Sequence, residues 1–306
     1  MAGLKELRNR IEAIKSTKKI TSAMKMVAAA GLRRAQGLIA KSDLYQNNLK
    51  TSALRLAFEL KQEEAAKNIA YVYPQIFTGK KSCNTYLIVV ISSDKGLCGS
   101  YNAHVAKAAL NRIAQLKNDG KIVQVLCIGK KAAELIRRKY PDVISEVIDG
   151  VAKKGADFEE TLALTHRLLA DFEKNVFDVA EIVSARFISA LSRDIQSRPF
   201  IPAYLPLDNS EKNEFVPNRV DNAYYDYEPD KLIMLEALLI MLLKAQMFDA
   251  IVQAQASEQG ARMASMDNAT RNATDMISKL TLKYNGIRQS AITTELTEII
   301  SGAEAI

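Results

Sequence analysis

Apolar residues at the start of the chain recur three and four positions apart. Leu4, Leu7, Ile11 and Ile14 follow the 3,4,3 spacing of a helix seam. The next strict heptad positions are Lys18 and Lys25, so the apolar face is expected to drift onto Ile20, Met24 and Val27 before Ala28, Leu32, Ala35 and Ile39 resume it. Such drift predicts a nearly straight helix of period 3.6 rather than a tight supercoil. Towards the other end, Leu243, Met247, Ala250, Ala254, Ser257, Ala261, Ala264 and Asn268 keep a 4,3 rhythm. Leu280, Tyr284, Ile287 and Ala291 continue it after a polar break.

The middle reads differently. The β-branched runs 85–93 and 121–129 are separated by a helical stretch from Asn102 to Lys117. A helix over Lys130–Lys139, a short strand near Val143–Ile148, a helix over Asp157–Lys174 and a strand over Ala180–Ser189 follow. A last strand and a loop are expected within 195–230. This alternation predicts a small α/β sheet with helices on its faces. The fold class is therefore α/β, a long antiparallel coiled coil of the two terminal helices with a Rossmann-like domain inserted. The divisions are a first helix over 1–58, a globular domain over 75–205, a proline- and tyrosine-rich connection over 206–229 and a final helix over 230–306.

The seven prolines, from Pro74 to Pro229, leave both flanks free of the strongest helix breaker. Helices of about 55 to 70 residues would run roughly 80 to 105 Å, whereas a domain of about 150 residues has a radius of gyration near 15 Å, so the arms are expected to project. Antiparallel pairing is their simplest arrangement. A seam of Ala and Ser buries only about one or two CH₂ equivalents per layer at about 0.8 kcal/mol each, so the rod needs something to enclose it. The final helix is longer by about 15 residues, or roughly 20 Å. Its end, Gly286 to Ile300, should continue alone and is apolar enough to want a partner.

Composition narrows the classes. The chain has 306 residues, 48% of them hydrophobic, enough for a real core. The best apolar run, Leu232 to Leu243, is too short for a membrane span and is interrupted by Glu236, and MAGLKELRNR lacks the apolar segment of a signal peptide. Three cysteines without metal-ligand spacing point to a reducing, cytoplasmic setting. The formal charge is +7, and residues 1–41 hold ten Lys/Arg against two Glu, so the excess sits on the first arm, which should seek an acidic surface. Nucleic acid is one acidic surface, but the basic arm offers few aromatics for stacking.

Catalytic patterns are missing. No G-x-x-x-x-G-K-[ST] loop and no G-x-G-x-x-G follows a strand. The turn Ser92 to Ser100 could present N–H groups to an anion, but reads more simply as a tight strand-to-helix turn with Asn102 as cap. Cys98 as nucleophile would need His104, six residues on, which one helix start does not bring face to face. His166 lies in a helical stretch, and no carboxylate pair stands out. No catalytic residue, cofactor site or metal site is assigned. Asn268 and Asn272 match glycosylation acceptors by accident in a chain read as cytoplasmic. Met24, Met26, Met263 and Met266 are seam filler.

The two ends carry a specific resemblance. Leu4 to Ala30, L-K-E-L-R-N-R-I-x-x-I-K-S-T-K-K-I-T-S-A-M-K-M-V-A-A-A, resembles the N-terminal helix of the γ subunit family of F-type ATP synthases. Ala256 to Thr270, A-S-E-Q-G-A-R-M-A-S-M-D-N-A-T, and Tyr284 to Ala303 resemble that family's C-terminal helix. S-S-D-K-G-L-C-G-S and Y-E-P-D (Tyr227 to Asp230) match its strand-to-helix motif and its approach to the last helix.

The resemblance implies a non-catalytic central rotor of bacterial type. Its helices would turn inside an α3β3 ring, and its globular part would grip the ε subunit and the c-ring, coupling ion flow to cycling of the catalytic β subunits. It implies no cofactor, no nucleic acid, no direct membrane insertion and a peripheral place on the cytoplasmic face of the plasma membrane. By motif, Arg288, Gln289, Thr293 and Glu295 would meet a β-subunit loop, and Met24, Lys25 and Arg262 would lie where the helices and a β loop approach. Lys15, Lys18, Lys19, Lys25, Arg33 and Arg34 would face an acidic β lever. Residues between about Leu205 and Tyr227 would contact ε and the c-ring.

Overall fold

A computed structural model describes residues 2–150, 157–203, 205, 225 and 227–304. The chain divides into two compact units, Gly31–Ala261 and the pairing of Met1–Ala30 with Arg262–Ile306. The order of elements is α1 (Ala2–Lys67), α2 (Gln75–Thr78), β1 (Thr85–Ile91), α3 (Tyr101–Asn118), β2 (Ile122–Ile128), α4 (Lys130–Arg137), β3 (Ile144–Ile148), α5 (Phe158–Glu173), β4 (Val179–Phe187), β5 (Arg193–Ile201) and α6 (Lys231–Glu304). α1 continues nine residues beyond the expected 58. It stops where Asn68 turns left-handed at φ 53°, ahead of Pro74. α6 starts after Pro229, with the Asp230 carboxylate accepting from the Leu232 amide at 2.7 Å.

The larger unit is built on one five-stranded sheet of order β3-β2-β1-β4-β5. Its first four strands are parallel, and β5 returns antiparallel along β4. Side-chain alternation divides β1 between two cores. Leu87, Val89 and Ile91 face one, which also receives Leu56 and Leu60 of α1, Leu168 and Phe172 of α5, and Leu235, Leu239, Leu242 and Leu243 of α6. Ile88 and Val90 face the other, closed by Val105, Ala109 and Ile113 of α3 and Ala132, Ala133 and Ile136 of α4. The terminal helices are thus one of the sheet's two covering layers. Leu56, Leu60, Leu235, Leu239, Leu242 and Leu243 are each at most 1% exposed. Each adds about 2 kcal/mol of burial.

Two polar devices tie the sheet. Glu181 of β4 receives Arg112 Nε at 2.7 Å and the Ser197 hydroxyl at 2.6 Å. Burial alone would raise its carboxyl, but these donors hold it below the usual range. At the end of β1, the Ser93 amide donates to Asn102 Oδ1 at 3.1 Å. Asn102 therefore latches the loop, and the N-cap position of α3 belongs to Ser100, which makes no side-chain cap bond.

Asp249 of α6 is 8% exposed, and its Oδ1 accepts from Gln253 at 3.4 Å. Burial pushes its carboxyl up to about 6, Asp43 adds to the rise, and Arg198 and Arg186 oppose it. A folded value above the unfolded one means stability is fully present below pH 3.8 and is lost as pH rises through the window up to about 6. Asp249→Asn should therefore raise stability by about 1–3 kcal/mol above that window and flatten the decline, in denaturant titrations across pH. Gly129 supplies a backbone contrast. At φ 96° its Cβ would stand 2.4 Å from the Ser92 carbonyl oxygen, whereas Gly37, inside α1, has nothing within 4 Å. Gly129→Ala should cost about 2 kcal/mol or more and Gly37→Ala should gain about 0.5–1 kcal/mol in the same titrations.

Candidate functional site

In the smaller unit the two helices meet through polar contacts. Thr270 Oγ1 donates to Thr21 Oγ1 at 2.8 Å, and Lys25 Nζ reaches Asp267 Oδ1 at 2.5 Å. Arg271 Nε also donates to Asp267, at 3.0 Å. Numbers rise along one helix as they fall along the other, so the pair is antiparallel. The hydrogen bonds from Lys25 and Arg271 hold the Asp267 carboxyl below its usual range.

Burial on α1 keeps strict heptads through Leu4, Leu7, Ile11, Ile14, Lys18, Thr21, Lys25 and Ala28, all at least half-buried. Ile20 and Val27, expected on the apolar face, are 61% and 70% exposed, and Met26 is 65% exposed, not seam filler. Met24 is half-buried. The expected drift is thus overturned. Lysine stems can lie along an apolar seam with their charge outside, and Asp267 supplies a counter-charge for Lys25. On α6 the seam runs through Met266, Thr270, Ala273, Ile277, Leu280 and Tyr284, while Asn268 is exposed. Extending the Thr21–Thr270 register puts the start of α1 opposite residue 290 or so, at 3.6 residues per turn on both helices. Beyond Tyr284 the side chains are exposed, with Ala291 half-buried, among those described up to Ser301.

In the larger unit the carboxyl ends of β1 and β4 form the place where doubly wound sheets open a ligand crevice. Here α6 lies across it. The Tyr101 hydroxyl donates to the Ala254 carbonyl at 3.2 Å, the Phe187 amide donates to Gln253 Oε1 at 3.1 Å, and a Cβ on Gly260 would meet Ala190 Cα at 3.2 Å. Cys98 beside this contact is 1% exposed, whereas His104 is on the exposed face of α3, and His166 is exposed on α5. Where α1 ends and α6 begins, a cluster unforeseen in the sequence joins them. Lys231 bonds Glu63, the Tyr71 hydroxyl donates to Glu63 at 3.1 Å, Tyr73 to Glu64 at 3.0 Å and Tyr227 to Glu59 at 3.2 Å. Burial, then the adjacent glutamate, pushes the Tyr73 and Tyr227 hydroxyls up to about 12.

A two-helix pair, a sheet crevice filled by its own helix and the motifs at both ends have a counterpart among known proteins. The family model described as ATP synthase matches residues 3–306. An ATP synthase gamma chain from Gluconobacter oxydans (strain 621H) is 39% identical over 306 residues, and one from Erythrobacter litoralis (strain HTCC2594) is 42% identical, with both chains covered completely in each case. The chain belongs to the ATP synthase gamma chain family. Among solved structures, the rotor of the Euglena gracilis mitochondrial ATP synthase covers 95% of this chain and 99% of its own at 18% identity, with a TM-score of 0.61. The central stalk and c-ring structure from Tetrahymena thermophila gives 0.57 at 22% identity, covering 82% and 99%. These two likenesses concern the fold.

The residues assigned through the family resemblance fall in separate places. Arg288, Gln289, Thr293 and Glu295 are all exposed on the last stretch of α6, where the Thr293 hydroxyl donates to the Gln289 carbonyl at 2.9 Å. Helical spacing puts Arg288 and Glu295 on one face and Gln289 with Thr293 on the adjoining one. Lys25 engages Asp267, and Arg262 is half-buried. Lys15 pairs with Glu12 at 2.9 Å, and this bond holds the Glu12 carboxyl below its usual range. Lys19 is exposed and Lys18 half-buried, without an ion pair among the described residues. In the larger unit Arg33 and Arg34 are exposed. Of the connection expected to contact ε and the c-ring, residues 206–224 and 226 lie outside the described residues, as does Tyr204 just before it. Tyr225 lies under the Arg55 guanidinium at 4.6 Å.

The seam register is directly testable. Ile20→Glu with Val27→Glu should leave the helix-pair melt of the full chain within about 0.5 kcal/mol, because both side chains face out. Ala28→Glu, at a position 1% exposed, should lower it by about 2 kcal/mol or more in the same circular-dichroism melts.

Proposed function

We propose that the chain is the central stalk of an F1Fo ATP synthase, the rotor that couples c-ring rotation to the conformational cycle of the catalytic β subunits. The observation that carries this reading is the combination of family membership with the two faces of the helix pair. Its seam carries polar contacts at Thr21–Thr270 and Lys25–Asp267, while Ile20, Val27, Leu282, Ile292 and Leu296 are exposed at 55% or more. A helix pair that leaves such large apolar side chains outside fits a shaft enclosed by other subunits. The enclosing partner in this reading is an α3β3 ring, and the ε subunit and the c-ring hold the globular unit.

Arg288, Gln289, Thr293 and Glu295 are then the contacts with a β-subunit loop. Met24, Lys25 and Arg262 lie where both helices approach another such loop. Lys15, Lys18, Lys19, Arg33 and Arg34 supply positive charge towards an acidic lever. The chain itself performs no chemistry, because the nucleotide sites belong to the ring. α6 lying across the sheet crevice agrees with that division of labour. No helix of the described residues is long and apolar enough to cross a membrane. The proposed location is peripheral, on the cytoplasmic face of the plasma membrane.

The reading is tested in the assembled complex. Arg288→Ala with Gln289→Ala should leave the helicity of the isolated chain unchanged. It should also cut ATP-driven proton pumping several-fold relative to hydrolysis, in line with the loss of about 1–3 kcal/mol of charged hydrogen bonding. Normal assembly with unchanged pumping would remove those two residues from the coupling contact. Failure to co-purify with α and β subunits would sink the rotor reading itself.

A further inference from the structure

Between the terminal helices and the β4–β5 edge of the sheet lies a cavity of about 320 Å³, wholly inside the larger unit. Its walls have opposite charge. β4 and β5 supply Arg186 and Arg198, and α1 and α6 supply Asp43 and Asp249, with Ser184 and Gln253 between them. Neither arginine forms an ion pair with either aspartate among the described residues. Asp249 is more than nine-tenths buried, yet its hydrogen bond within the chain is the 3.4 Å contact with Gln253. Arg198 is half-buried. Burial, then Arg186, disfavours its charged form, while Asp249 and Asp194 favour it.

A buried carboxylate and a half-buried guanidinium normally close on each other, because a charge desolvated without a partner costs several kcal/mol. Here they are held apart across a space with room for about ten water molecules at roughly 30 Å³ each. A simple anion would meet Asp43 and Asp249, and a simple cation would meet both arginines. A molecule carrying both charges satisfies each wall at once. We propose that this cavity binds a small zwitterion of the free α-amino-acid class, its carboxylate on Arg186 and Arg198 and its ammonium on Asp43 and Asp249. The exposed Arg186 marks its open side. The site goes beyond the rotor reading and does not depend on it.

The proposal carries its own pH signature. An ammonium needs Asp249 ionised, and its carboxyl, pushed up to about 6 beside Asp43 with Arg186 and Arg198 opposing, is protonated in mild acid. Binding should therefore be strong above that value and weak below it. The experiment is calorimetric titration of the full-length chain with glycine, L-glutamate and L-lysine, with acetate and ethylammonium as the separate half-charges. At least one amino acid should bind saturably near pH 8, about tenfold or more weaker near pH 5, with neither half-charge matching it. Arg198→Gln and Asp249→Asn should each weaken binding by about tenfold or more. Arg186→Gln and Asp43→Asn give a second pair if either first variant fails to fold. The proposal is overturned if no zwitterion binds saturably up to about 10 mM, which leaves a cavity holding water only. Binding indifferent to the variants or to pH overturns it equally.

Discussion

The structure depends on one apolar contact, the packing of Leu56, Leu60, Leu235, Leu239, Leu242 and Leu243 against the sheet face made by Leu87, Val89 and Ile91. In most α/β domains both faces of the sheet are covered by helices from within the domain. Here one face is covered by α3 and α4, and the other chiefly by the same helices that go on to form the seam. The fully buried leucines are concentrated at the sheet, and the seam mixes half-buried Leu4, Leu7, Ile14, Ile277 and Leu280 with threonine, alanine and a lysine–aspartate bridge. The helix pair of the smaller unit therefore buries its apolar side chains less completely than the sheet contact does.

That difference explains how residue types are distributed. At the sheet, leucine is the economical choice because each side chain is removed wholly from water. On the seam, Thr21, Ala28, Thr270 and Ala273 keep the helices close and leave their outer surfaces to carry apolar groups. Lys18 and Lys25 lie on seam positions without breaking the heptads because only their stems need shelter. Register is specified by paired polar groups, as a buried polar residue does in other coiled coils.

Much of this was legible in advance. Period-two and period-3.6 patterns separate the sheet from the arms, proline-free flanks permit the long helices, and the motifs at both termini point to the family. Hydropathy alone misplaces the seam. A strict heptad count passes through Lys18, Thr21 and Lys25, whereas hydropathy favours Ile20 and Val27 because it scores lysine by its charge and not by its stem. The helix α1 outruns its expected end because no breaker precedes Asn68, and Asn102 does not cap α3 because its carboxamide serves Ser93. The charged cavity and the glutamate–tyrosine cluster join residues as far apart as Asp43 and Asp249 or Glu59 and Tyr227. Neither has a local pattern, so only the tertiary fold brings them together. The contacts assigned to Arg288 and its neighbours rest on the motif, since an exposed helix surface contains no geometry that names its partner.

The use of α6 as a covering layer also governs the order in which the protein can be made. Residues 53–60 and strands β1 to β5 leave the ribosome before Lys231, yet the face formed by Leu87, Val89 and Ile91 is not closed until α6 follows. During synthesis the sheet has one finished side and one apolar side covered only by α5 and the end of α1, and such exposed apolar surface makes nascent chains prone to stick to one another. Completion of the domain and emergence of the last helix are thus a single event, and a chain truncated before α6 would be left with an unfinished core.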